Sequence, residues 1–124
     1  MPMKLRLEHE FAEAIEKWGW RYHHIGIPTN HKINGERYLP QFGMYISGFS
    51  TSPYGVEWIR FDHDSPIDKL IQNVAHVAFV VDDLDYELRE RNLNVITPPN
   101  LPMEGVRVAM IEHNGAPIEL MEFK

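Results

Sequence analysis

The sequence predicts an α+β fold, and two observations carry that reading. Strand-like segments outnumber helical ones, and the strands fall into two groups with matching internal order. "HIGI" (24–27) matches "HVAF" (76–79), and "VEWIRF" (56–61) matches "IELMEF" (118–123). The chain is therefore a disguised repeat whose chemistry-bearing residues run His, Glu, His, Glu. From His to Glu the first copy is about ten residues shorter than the second, the length of one ordinary helix. The prediction is one domain over 1–124, with an N-terminal helical segment at 1–19, a first module at 20–64 that lacks its helix, and a second module at 74–124.

The elements follow in order. Leu7, Phe11, Ala14 and Trp18 recur at helical spacing, which predicts a helix over 7–18 that Gly19 stops. This helix is expected to cover the sheet face left bare by the short first module. "RYHHIGIP" reads as a strand. Residues 29–41 are polar and broken by Gly and Pro, and read as a loop. "FGMYISGF" and "GVEWIRF" are strands around a Ser/Pro/Gly turn. "DHDSPIDKL" is a solvated turn, despite its metal-like Asp62, His63 and Asp64. In the second module Asp82 or Asp83 caps a helix through "LDYELRERN". "LNVIT" is a short strand that the following prolines end. "VRVAMIE" and "APIELMEF" form a hairpin about Asn-Gly, whose residues both tolerate positive φ.

Composition removes whole classes of function. The chain has no cysteine, so disulfides, thiolate metal sites and cysteine nucleophiles are excluded. The net charge of −6 argues against nucleic acid, which requires clustered Lys and Arg. No run is apolar enough to span a membrane, and the charged N-terminus does not resemble a signal peptide. A cytoplasmic location is expected.

Alternation along the strands selects the candidate site. Neighbouring strand residues face opposite sides, so His24 and Gly26 share one face while His23, Ile25 and Ile27 share the other. The isoleucines are expected under a helix, with His23 at the edge of that covered face. His76 and Ala78 repeat the pattern, with Val77 and Phe79 packed. A small residue two positions after each histidine leaves room for a cleft. With the copies related by a pseudo-two-fold, His24, Glu57, His76 and Glu119 converge. Two imidazoles and two carboxylates suit one divalent transition metal, Zn, Ni, Co, Mn or Fe(II), better than Ca or Mg. Water in the remaining positions would make such a site catalytic. Tyr45, Tyr54, Trp58, Phe49 and Met121 are candidates for lining a pocket, although such residues more often form core.

These paired segments, "HHIGI…GVEWIRF" and "AHVAFVVDD…APIELMEF", resemble the vicinal oxygen chelate superfamily, which includes glyoxalases, bleomycin-resistance proteins and dioxygenases. The resemblance covers roughly residues 20–124 and is stronger in the second half. It implies two βαβββ modules forming a cupped mixed sheet around a metal cleft, with ligands at His24, Glu57, His76 and Glu119. It also implies a small-molecule substrate and, in many members, a homodimer. Bacterial glyoxalase I enzymes carry an Arg four residues after the first ligand His and an Asn four after the first Glu, both for glutathione. Here those positions are Pro28 and Phe61, so a glutathione-linked substrate is not expected. The activity expected is isomerase, epimerase or lyase chemistry by proton abstraction beside a chelated carbonyl, with Glu57 and Glu119 as the candidate catalytic bases. The alternatives are a ring-cleaving Fe(II) dioxygenase and a metal-free module that sequesters a small molecule.

Overall fold

The structure is a computed structural model, and it describes residues 6–124. The first five residues of the expected N-terminal segment lie outside that range. Eight strands form one continuous sheet: β1 (Arg21–Pro28), β2 (Arg37–Leu39), β3 (Met44–Ser47), β4 (Val56–Phe61), β5 (His76–Val80), β6 (Val95–Met103), β7 (Val106–His113) and β8 (Ala116–Phe123). Among the described residues three short α-helices accompany them, α1 (Glu13–Glu16), α2 (Lys69–Asn73) and α3 (Leu84–Glu90), with a 3-10 turn at Phe49–Thr51.

Strand order across the sheet is β2-β3-β4-β1-β5-β8-β7-β6. Its two halves repeat one plan. β1 pairs parallel with β4, as β5 does with β8, and the halves join through the antiparallel β1–β5 pair. A parallel pair needs a long crossover. In the second half α3 leads the chain out of β5. In the first half, among the described residues, no helix stands between β1 and β2, which accounts for the shorter spacing read from the sequence.

The sheet curls until its ends approach each other. Gln41, in the turn between β2 and β3, donates to the carbonyl of Pro102 on β6, the strand at the opposite end. One face is therefore concave. The convex face of the second half is covered by α3 and the N-terminal segment, with Trp20, Val81, Leu84, Ala109, Ile111 and Leu120 as its core.

Local chemistry places the turns. Asn114 (φ 50°) and Gly115 (φ 84°) make the β7–β8 turn, as Asn-Gly predicts. Asp83 caps α3 by accepting from the Tyr86 amide, and Glu122 of β8 accepts from the Leu84 amide. The helix start is thus tied to the sheet it covers.

Five expectations are corrected. The N-terminal helix is a single turn, Glu13–Glu16, rather than 7–18. Leu7 and Phe11 are exposed, so only its last turn has an apolar surface to rest on, and a short helix does not hold itself in water. This turn also covers the second half rather than the first. β1 runs antiparallel to β5, so the chain entering β1 arrives beside the end of β5 and under α3. Trp20 is fixed there by donating its indole N–H to Glu87 at 2.9 Å, and Arg91, paired with the same Glu87, lies 4.4 Å over the Trp18 ring. Ile25 is consequently left 37% exposed instead of packed under a helix. The segment expected as loop contains β2, which pairs with β3. β6 continues through Pro98, Pro99 and Pro102 with repeated register shifts. Prolines are tolerated because β6 is the last strand of the sheet and needs no donors on its outer side.

Trp20 is the apolar anchor of the N-terminal segment and is only 3% exposed. Trp20→Ala should lower stability by about 3–5 kcal/mol. Trp20→Phe, which keeps most of the ring volume and loses the donor, should cost about 1–2 kcal/mol. Urea unfolding of both variants measures this; a loss below about 1 kcal/mol for the alanine variant would contradict the packing described.

Candidate metal centre

The site is assembled by register. Gly26 stands opposite Glu57 on one side and opposite His76 on the other. Ala78 stands opposite His24 on one side and Glu119 on the other. Two rows therefore cross the middle of the sheet, each reading histidine, small residue, glutamate. Residues two strands apart are nearly 10 Å apart at the backbone. Their side chains meet only if the residue between them leaves the space empty. A Cβ on Gly26 would lie 2.2 Å from His76 Cε1, so the imidazole occupies the volume that glycine vacates.

All four sequence-predicted residues come together, but not equally. His24, His76 and Glu119 offer ligand atoms lying within 4.8 Å of one another. Glu119 Oε1 is 2.9 Å from His76 Nε2 and 3.4 Å from His24 Nε2. Glu57 stands slightly apart, with Oε1 3.8 Å from His24 Nε2. The cluster sits at the floor of a cavity of about 320 Å³ on the concave face.

The two carboxylates differ in character. Burial alone would raise Glu119, but the imidazoles of His24 and His76 beside it outweigh that and hold the carboxyl at about 2. Glu57 is pushed up, chiefly by burial and further by the charge of Glu119, against the opposing pull of His24. Burial also opposes charge on His24, yet its contacts with Glu119 and Glu57 raise it overall.

His23 is not where alternation places it. The pairing of β1 with β5 shifts register between Tyr22 and His24, so His23 is the extra residue of a β-bulge. The bulge turns His23 toward the cavity. Its Nδ1 lies 2.8 Å from His24 Nδ1, and its ring stacks on Phe49 at 5.0 Å between centroids. With His23 holding His24 Nδ1, the Nε2 atom points into the cluster. No residue type in "YHHI" announces a bulge, and only the pairing with β5 shows it.

Of the pocket candidates, Phe49 and Met121 line the cavity. Tyr54 is on the surface, and Tyr45 lies on the other side of the sheet beneath Arg60. Asp62 accepts from the Tyr38 hydroxyl while His63 and Asp64 are exposed, in keeping with a turn.

The residues fit a divalent transition metal. His24 Nε2 is buried and makes no hydrogen bond among the described residues, and neither does His76 Nδ1. A buried ring nitrogen without a partner costs about 1–3 kcal/mol, and an ion taken up at His24 Nε2 would remove that penalty. Two imidazole nitrogens with one or two carboxylates are the donor chemistry for such an ion.

No protein-family model matches the sequence, and no curated protein matches it. Solved structures do share its fold. A hypothetical protein from Bacillus halodurans matches over 85% of this chain and 95% of its own, with a TM-score of 0.65 and 23% identity. Methylmalonyl-CoA epimerase from Mycobacterium tuberculosis matches over 84% of this chain and 88% of its own, with a TM-score of 0.56 and 18% identity. The likeness is one of fold: these proteins share the curled α+β sheet with few helices that the sequence predicts. Among the described residues no helix is long and apolar enough to cross a membrane.

Two outcomes follow for the chain itself. Gly26→Ala should displace His76 while leaving the sheet folded, and weaken zinc binding at least about tenfold by calorimetric titration. Unchanged affinity would mean that the glycine is not what makes room for His76. In the chelator-treated chain, stability should fall on both sides of a window. Glu119, held below its ordinary 4.5, contributes above that pH and loses its contribution as pH drops toward 2. His24, raised above 6.5, contributes below that pH and loses its contribution as pH rises through its folded-state value. The Glu119–His24 pair thus stabilises most between about pH 4.5 and 6.5. Urea midpoints across pH should show this, and Glu119→Gln should flatten both limbs.

Proposed function

We propose that the chain is a divalent-metal-dependent enzyme that moves a proton at the carbon next to a substrate carbonyl, as an isomerase, epimerase or lyase. The observation that carries the reading is the division of labour among the four residues. His24, His76 and Glu119 form the compact set that would hold the ion. Glu57 stands just outside it and is the more basic carboxylate.

When bound, the ion supplies Lewis-acid stabilisation of negative charge on the substrate oxygen. The remaining chemistry belongs to the chain. Glu57 Oε accepts the proton from the adjacent carbon and returns it, to the same or another position, to give product. Its raised pKa makes it a better base than Glu119, whose proton affinity is lowered by two imidazoles. The enclosing apolar walls exclude water that would otherwise compete for that proton. Methylmalonyl-CoA epimerase, which shares the fold, is named for an inversion of this general kind.

A second reading has its own support. Two histidines and one carboxylate are also the ligand set of non-haem Fe(II) oxygenases. That reading requires iron and O₂, so turnover that persists anaerobically with zinc excludes it.

The test is exchange of carbon-bound hydrogen for solvent deuterium in enolisable α-hydroxy ketones, followed by NMR with zinc-loaded chain. Glu57→Gln should abolish exchange, at least about a 100-fold loss, with zinc affinity changed by less than about tenfold. Glu119→Gln should lose zinc as well as exchange. Exchange that survives in Glu57→Gln would remove Glu57 as the base.

A further inference from the structure

Strand alternation fixes the chemistry of the cavity wall as firmly as that of its floor. On β4, Glu57, Ile59 and Phe61 face the cavity, while Arg60 points to the convex side, where Glu36 holds it above Tyr45. On β7, Val106, Val108 and Met110 face the cavity, while Arg107 points away and pairs with Asp85. Above the metal cluster the wall is formed by Leu39, Phe42, Met44, Phe49, Met103 and Phe123. These residues come from both ends of the curled sheet. Among the described lining residues there is no Lys or Arg, and apart from His23, stacked on Phe49 beside the floor, polar groups on the upper wall are confined to Thr97 and Asn100. The Asn100 amide N–H is already engaged, donating to the carbonyls of Pro98 and Val108.

A ligand seated on the floor must place the rest of its body against this wall. An anionic body would lose its hydration with no Lys or Arg in reach, and would face Glu57 and Glu119 besides. A neutral hydrocarbon body would gain from every apolar contact. A cavity of about 320 Å³ lies at the small end of the range for small-molecule sites, roughly 300–1,000 Å³. We propose that the substrate is a small, uncharged molecule whose oxygen-bearing head reaches the His24–His76–Glu119 floor and whose body is an unsubstituted aromatic or branched aliphatic group. The placement of the head rests on the metal reading above, whereas the selection of the body rests on the wall alone.

The experiment compares three catechols that share one head and differ in the tail. Catechol, 4-tert-butylcatechol and 3,4-dihydroxybenzoate are titrated into zinc-loaded chain by calorimetry. The tert-butyl compound should bind about tenfold or more tighter than catechol, and the carboxylate at least about tenfold weaker than catechol. Met103→Arg, at the half-exposed rim, should recover the carboxylate compound at least about tenfold. A carboxylate compound that binds the unaltered chain as tightly as the tert-butyl compound overturns the proposal, as does no recovery with arginine. If no catechol binds the zinc-loaded chain, 4-tert-butylphenol and 4-hydroxybenzoate titrated into metal-free chain read the wall by itself. Binding of the neutral phenol alone keeps the apolar selection and removes the chelating head. Binding of neither, or of both equally, overturns the selection.

Discussion

Everything at the site depends on the antiparallel pairing of β1 with β5. That ladder sets His76 against Gly26 and His24 against Ala78, and the parallel pairs on either side then set the glutamates against the same small residues. Slipping the register by one residue would send both histidines to the opposite face. The ladder is also where the two halves of the sheet join, so the site and the fold share one constraint. The joint is closed on the convex side by Trp20, whose indole N–H reaches Glu87 and fixes the chain entering β1.

The repeat shapes the site, and its imperfections give the site direction. Both halves supply a histidine, a spacer and a glutamate, yet the spacer is glycine in one and alanine in the other. His76 therefore leans into the space over Gly26. Glu119 lies beside both imidazoles and becomes strongly acidic, while Glu57 lies beside His24 at 3.8 Å and is pushed up by burial. Two residues of the same type acquire different proton affinities from their surroundings, and the proposed assignment of ligand and base follows from that difference.

Much of this was legible in the sequence because strand periodicity and repetition are local. "HIGI" and "HVAF" reveal their cavity-facing residues by spacing alone, and Asn114-Gly115 marks its hairpin. The missing helix of the first half follows from the shorter His-to-Glu spacing. What the sequence does not show depends on partners distant along the chain. The bulge at His23 exists only through its pairing with β5. The helical spacing of Leu7 and Phe11 finds nothing to pack against, so one turn survives of a longer expected helix. β6 runs through three prolines because it is the terminal strand, a position that no residue of 95–103 encodes by itself.

The central claim is that His24, His76 and Glu119 hold one divalent ion on the concave face. Native mass spectrometry of the full chain under non-denaturing conditions, paired with elemental analysis, tests it most directly. The account predicts about one transition-metal ion per chain, removed by chelator and restored on adding zinc, and absent from a His76→Ala chain that still folds. A folded chain that arrives without metal and takes up none of zinc, nickel, cobalt, manganese or iron(II) would contradict it and leave the cavity as a binding site for small molecules without a metal.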